Sequence, residues 1–131
     1  MNDKARIDAA LVEEFVGKAH GDLDRVRALL TEQPALLNAS WDWGNGDWET
    51  ALGAASHMGR RDIAEFLIEQ GARGDIFAAA MLGHLDIVKA IVQAHPPTAN
   101  APGPHGIPLI RHAAAGGEAS KPVADFLQSL T

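Results

Sequence analysis

The sequence predicts an all-α protein of four helix–turn–helix units, and three observations predict it. Apolar residues recur at helical spacing along nearly the whole chain. Alanine-rich segments alternate with these amphipathic stretches, and small side chains let neighbouring helices pack closely. A glycine separates each alanine-rich segment from the amphipathic stretch that follows it.

In chain order, Leu23, Val26, Leu29 and Leu30 form one apolar face after Gly21-Asp22. Ala51 to Ser56 is an inner helix of small residues, and Ile63, Phe66 and Leu67 repeat the apolar face after Gly59-Arg60-Arg61-Asp62. Gly71 stands where a helix C-cap belongs. Ala78 to Ala80 is the next inner segment; Leu85, Val88, Ile91 and Val92 follow Gly83-His84 and stop at Pro96-Pro97. Ala113 to Ala115 then precedes Val123, Phe126, Leu127 and Leu130, with Pro122 acceptable as an early helical residue.

One stretch breaks this pattern. Trp41 to Thr50 holds all three tryptophans, Trp41, Trp43 and Trp48, together with Asp42, Asp47 and Glu49. Its centre, Gly44-Asn45-Gly46, is turn chemistry, because Asn and Gly tolerate the positive φ of a tight hairpin. So many large aromatics in a loop are costly in water unless they pack on something or bind something.

Composition bounds the function classes. At 131 residues the chain suits one domain, and an apolar fraction of 47% with 21% charged residues is ordinary for a globular protein. A net charge of −6 disfavours nucleic acid or an anionic membrane as partner, since both need a basic face. There is no cysteine, hence no disulfide, zinc–thiolate site or thiol nucleophile. The N-terminal residues mix acids and bases without an apolar run, and no stretch approaches a membrane span, so a cytoplasmic protein is expected.

With units this self-similar, the chain resembles the ankyrin repeat family, whose unit carries T-P-L-H-x-A-A-x-x-G-H, a second helix with paired aliphatics, and G-A. Thr50 to Gly59 fits the first motif, Ile107 to Gly116 fits it with the same offset, and Gly74 to Gly83 fits through Ile76, Ala79 and Ala80. Ile63 to Ala72 and Leu82 to Lys89 match the second half. The first unit has Glu14 and Lys18 where apolar residues are usual, which suits a capping repeat. The resemblance implies a helix–turn–helix solenoid with short hairpin loops, in one domain of units about 3-38, 45-71, 72-97 and 102-131.

The departures from the family pattern are informative. Motif glycines Gly21, Gly59, Gly83 and Gly116 are spaced by 38, 24 and 33 residues, against a full repeat of about 33. The long interval falls on the Trp stretch, and the short one lacks the hairpin finger between Gln70 and Ile76. A tall aromatic finger, an absent finger and a Pro/Gly-rich finger (Pro96 to Gly106) in a row imply a notch, with Phe77 and Met81 at its floor. The motif histidine, which braces neighbouring hairpins in the family, is replaced by Gly53, Phe77 and Ile110.

Candidate binding residues are therefore Trp41, Trp43, Trp48, His57, Met58, Phe77, Met81 and His105, the register placing His57 and Met58 on the concave face, with Ala19 and His20 their equivalents one repeat back. Trp is enriched in binding hot spots, though the same rings could simply cap the alanine-rich helices. A dyad of His57 or His105 with Asp47 or Glu49 across the notch makes these four the catalytic candidates. Of the remaining histidines, His84 belongs to the usual Gly-His turn, His95 to a helix end, and His112 replaces an inner-helix alanine. Asn45-x-Asp47-x-Glu49 resembles the start of a calcium loop but lacks its other ligands, so no metal and no cofactor are expected. Phosphate-loop, dinucleotide, nucleophile-elbow and zincin motifs are absent.

The expected function is a binding module that holds a protein segment or compact ligand on the concave face and Trp finger. The alternative is a small-molecule-binding protein or small acid–base enzyme with its pocket between the 41-49 and 96-106 fingers. A purely structural scaffold comes third.

Overall fold

The computed structural model describes residues 4–131, and its regular structure is mostly helical. The helices are α1 (Ala9–Lys18), α2 (Leu23–Glu32), α3 (Ala51–His57), α4 (Arg61–Glu69), α5 (Ile76–Leu82), α6 (Leu85–Ala94), α7 (Leu109–Ala115) and α8 (Lys121–Gln128). Between α2 and α3 lies an antiparallel ribbon of β1 (Ser40–Asp42) and β2 (Trp48–Thr50), and short 3-10 turns fill several connections. No helix among the described residues is long and apolar enough to cross a membrane.

Helix starts and stops follow local side-chain chemistry. Asp8, Asp22, Thr50 and Asp75 each accept a backbone N–H of the first turn, capping α1, α2, α3 and α5. The turns after α3, α4 and α5 close alike: Arg60 N–H donates to Ala55 O, Ala72 N–H to Leu67 O and His84 N–H to Ala79 O, at 2.9–3.0 Å. This is the Schellman bond, and Gly59, Gly71 and Gly83 supply its left-handed residue.

The helices pack as four pairs, α1 with α2, α3 with α4, α5 with α6 and α7 with α8. Inner helices α1, α3, α5 and α7 each pack on the next. The core is continuous across α5, whose faces are shared by helical spacing: Ala78, Met81 and Leu82 join the core of the first two pairs, Ala79 and Ala80 that of the last two.

One contact departs from a one-dimensional stack, in which each unit meets only its neighbours. Helix α3 also touches α7, so the second pair reaches the fourth directly. Small residues permit this. The backbone of Ala115 lies so close to Gly59 that a Cβ there would collide with its carbonyl. No strand forms between α4 and α5, and that short link leaves nothing to hold the second and fourth pairs apart.

Candidate functional site

The Trp stretch folds as its residues dictate. Ser40 pairs with Thr50, Trp41 with Glu49 and Asp42 with Trp48. Asn45 takes a φ of 55° at the tip, and the Asp42 carboxylate accepts the N–H groups of Gly44 and Gly46, at 2.8 and 3.2 Å. Strand alternation then separates the side chains. Trp48 points out and is 59% exposed, whereas Glu49 points inward and is 1% exposed.

Glu49 is the centre of the site. The Trp43 indole N–H donates to its Oε1 at 2.9 Å. Nε2 atoms of His20 and His105 both lie 3.2 Å from that oxygen, and His57 Nε2 lies 3.0 Å from Oε2. The His57 contact is misaligned, so neither atom completes a hydrogen bond among the described residues. One donor atom from each of His20, Glu49, His57 and His105 falls within a 4.8 Å cluster.

Four separate segments supply these groups. His20 follows α1, Glu49 is in β2, His57 ends α3, and His105 sits in the finger before α7. His105 is held in the left-handed region at φ 61°, uncommon for a residue with a side chain. Its backbone N–H donates to Asp47 Oδ1 at 2.7 Å and its Nδ1 meets Asp47 Oδ2 at 2.7 Å. The third finger therefore leans across the gap and grips the first. The expected notch is bridged at this point.

Two of the motif departures have a steric reason. At Gly53, where the ankyrin-type motif has histidine, a Cβ would meet Pro104 at 3.4 Å and Glu49 at 3.6 Å. A histidine would occupy the space those side chains use. At Phe77, the ring takes up a place against the third finger: Gly103 lies so close to Phe77 and His112 that a Cβ would come within 3.0 Å of each ring. That seats the finger on the tilted ring pair Phe77 and His112, whose centroids are 4.8 Å apart.

Electrostatics match the geometry. Burial alone would push the Glu49 carboxyl up, but His20, His57 and Trp43 together hold it well below the usual carboxylate range. Contact with Glu49 raises the His20 imidazole above its ordinary value, against the opposing effect of burial. The His105 backbone N–H, more than its ring, holds Asp47 below its ordinary value. Burial pushes His112 down; its Nδ1 meets Pro108 O at 3.0 Å and its Nε2 has no hydrogen-bond partner among the described residues.

The sequence-derived candidates divide three ways. Asp47, Glu49, His57, His105 and Trp43 converge on the cluster. Trp48 and Phe77 line an open crevice of about 790 Å³ between the fingers, which Asp47 and His105 also line. Met58 is exposed and Trp41 is partly buried against the core. Met81 needs correction: it is fully buried in the core and does not line the crevice, because it turns toward the core shared with the first two pairs. His84 and His95 are exposed and outside the site.

His20 is the member of the cluster that the sequence does not put among its candidates. The signal that could have found it is its place beside the motif glycine Gly21, as His57 lies near Gly59. The chain matches no protein-family model and no curated protein.

Proposed function

We propose that the protein is a small-molecule-binding protein on an ankyrin-type solenoid, with its site at the Glu49 cluster under the joined fingers. The observation that carries this is a fully buried carboxylate met by three imidazoles and an indole N–H from four chain segments. Burying so many polar groups is costly and contributes little to stability compared with apolar packing of the same volume. Their convergence on one point suits a compact ligand. A protein segment would be read by groups spread along the concave face, and the bridge from Asp47 to His105 stands across its path.

The test is a panel of small carboxylates, phosphates, amines and sugars, screened by thermal shift and intrinsic fluorescence. All three tryptophans lie in or beside the first finger, so emission reports on this region alone. A hit is expected to raise the melting temperature and change emission. His57→Ala is expected to remove both effects while helicity is retained. Hits that bind His57→Ala as well as the parent would move the site elsewhere. The exposure of Trp48 favours one second reading, a peptide held at the outer crevice; it predicts loss of binding in Trp48→Ala and none in His57→Ala.

A further inference from the structure

The geometry points to a divalent transition-metal site formed by His20, Glu49, His57 and His105. This inference rests on reading the cluster as a ligand site, and it names the ligand's first component.

The hydrogen-bond roles of the rings come first. His20 Nδ1 lies 3.1 Å from Val16 O and 2.9 Å from Gly17 O, and carbonyl oxygens only accept. Nδ1 therefore carries a proton, and Nε2 faces Glu49: it donates to the carboxylate when no ion is bound and offers a lone pair once that second proton is displaced. His105 repeats the arrangement with Asp47 at Nδ1. An acceptor on Nδ1, with Nε2 turned toward a carboxylate and two further imidazoles, is the pattern of metal-binding histidine, where a carbonyl or carboxylate fixes ring orientation. Two imidazoles are oriented this way by two unrelated devices, one a helix end and the other an aspartate on the opposite finger.

Distances point the same way. Charge-assisted N–H···O bonds run at about 2.7–2.9 Å. The three imidazole–carboxylate separations of 3.0–3.2 Å are longer. Two atoms each about 2.0–2.2 Å from a metal are roughly 3.0 Å apart at a right angle and 3.4 Å at a tetrahedral angle. The His20 and His105 separations, both to Oε1, fit neighbouring ligands around one ion, and the His57 separation to Oε2 fits the same ion when the carboxylate binds it through both oxygens. The ligand atoms all lie within 4.8 Å of one another, so a pair at that limit closes by roughly 0.4–0.8 Å to stand opposite each other across an ion and by more than about 1 Å to reach a tetrahedral angle.

Two polar atoms are also aimed inward without hydrogen-bond partners among the described residues. Glu49 Oε2 belongs to a side chain with no solvent exposure, and His57 Nε2 to one 10% exposed. A cation between them satisfies both at once. Neither Lys nor Arg takes that role, since the ionic partners of Glu49 among the described residues are imidazoles.

Three imidazoles and one carboxylate suit Zn, Fe, Ni or Cu, whereas Ca and Mg prefer oxygen. The set has no thiolate, and two members face water: the side chains of His20 and His105 are 26% and 32% exposed. The open side suits a water or a small metal-coordinating molecule, such as a carboxylate, as an additional ligand.

Isothermal titration of the whole 131-residue chain, stripped with chelator, using Zn²⁺, Co²⁺ and Mg²⁺, tests this. One Zn²⁺ per chain is expected, Mg²⁺ is expected to give no heat, and Co²⁺ is expected to develop visible ligand-field absorption. Glu49→Gln and His57→Ala are each expected to weaken Zn²⁺ at least about 100-fold, and Asp47→Asn about 10- to 100-fold through loss of His105 orientation. His84→Ala and His95→Ala are expected to change nothing. Should His57→Ala fail to fold, the half-exposed His105→Ala takes its place. Absence of 1:1 binding, or equal loss in the His84 and His95 variants, overturns the metal site. Small-molecule hits that need His57 but no metal would overturn this inference and leave the small-molecule reading standing. Zn²⁺ binding without any hit in the presence of metal would do the reverse.

Discussion

At the residue scale, His112 shows how burial sets pH behaviour. Its imidazole is fully buried, donates from Nδ1 to Pro108 O, and is pushed below its ordinary value by burial. The unfolded chain takes up the proton near about pH 6.5, before the folded chain does. The neutral ring's contribution is therefore full above that pH and declines as pH falls toward the depressed folded value. The raised His20 runs the other way: its contribution is present below about 6.5 and is lost as pH rises through the folded value. His112→Leu leaves Pro108 O satisfied, because Arg111 N–H also donates to it at 3.0 Å. Melting temperatures measured between about pH 7 and 5 are expected to fall less steeply in this variant than in the parent. An unchanged slope would mean that His112 is protonated in the folded protein.

At the element scale, the turn glycines are not equivalent. Gly46 adopts a φ of 78° at an open hairpin tip, where an added methyl group would meet no atom within 4 Å; Gly59 adopts 66° against the Ala115 backbone. Gly46→Ala is expected to cost only the backbone strain, about 1–2 kcal/mol. Gly59→Ala adds overpacking between α3 and α7, and a total of about 3 kcal/mol or more is expected by chemical denaturation. Equal losses would show that α3 and α7 do not meet in solution. The elements themselves are readable in the sequence, because their causes are local: apolar spacing, Asp and Thr caps, Gly after a helix, and Gly-Asn-Gly in a hairpin. The grip of Asp47 on His105 spans 58 residues and depends on α3 meeting α7, which no local pattern encodes. The repeat register puts His20 on the concave face, but its pairing with Glu49 escapes a sequence reading for the same reason: Glu49 is local to neither its helix nor its turn.

At the scale of the whole molecule, the α3–α7 contact and the finger bridge join what would otherwise be separable halves. One core gathers α1 to α4 with one face of α5, and the other gathers α6 to α8 with its opposite face. Shared α5, the α3–α7 contact and the finger bridge are expected to make unfolding one cooperative event. Tryptophan emission reports the first half, and far-UV circular dichroism reports helices throughout. Their urea transitions are expected to coincide; an earlier fluorescence transition would show that the first half opens alone.

The contact between second and fourth pairs also restricts where a further helix pair could be inserted in this chain. Repeat arrays commonly gain or lose units by duplication, because each unit meets only its neighbours. Here a pair inserted between α3 and α7 would move the His105 finger away by roughly the 8–10 Å between packed helices. His105 would then reach neither Asp47 nor Glu49. The distance between the two fingers is thus tied to the cluster: a helix pair inserted between them separates its members, and loss of the finger before α7 removes one of its four imidazole and carboxylate arms.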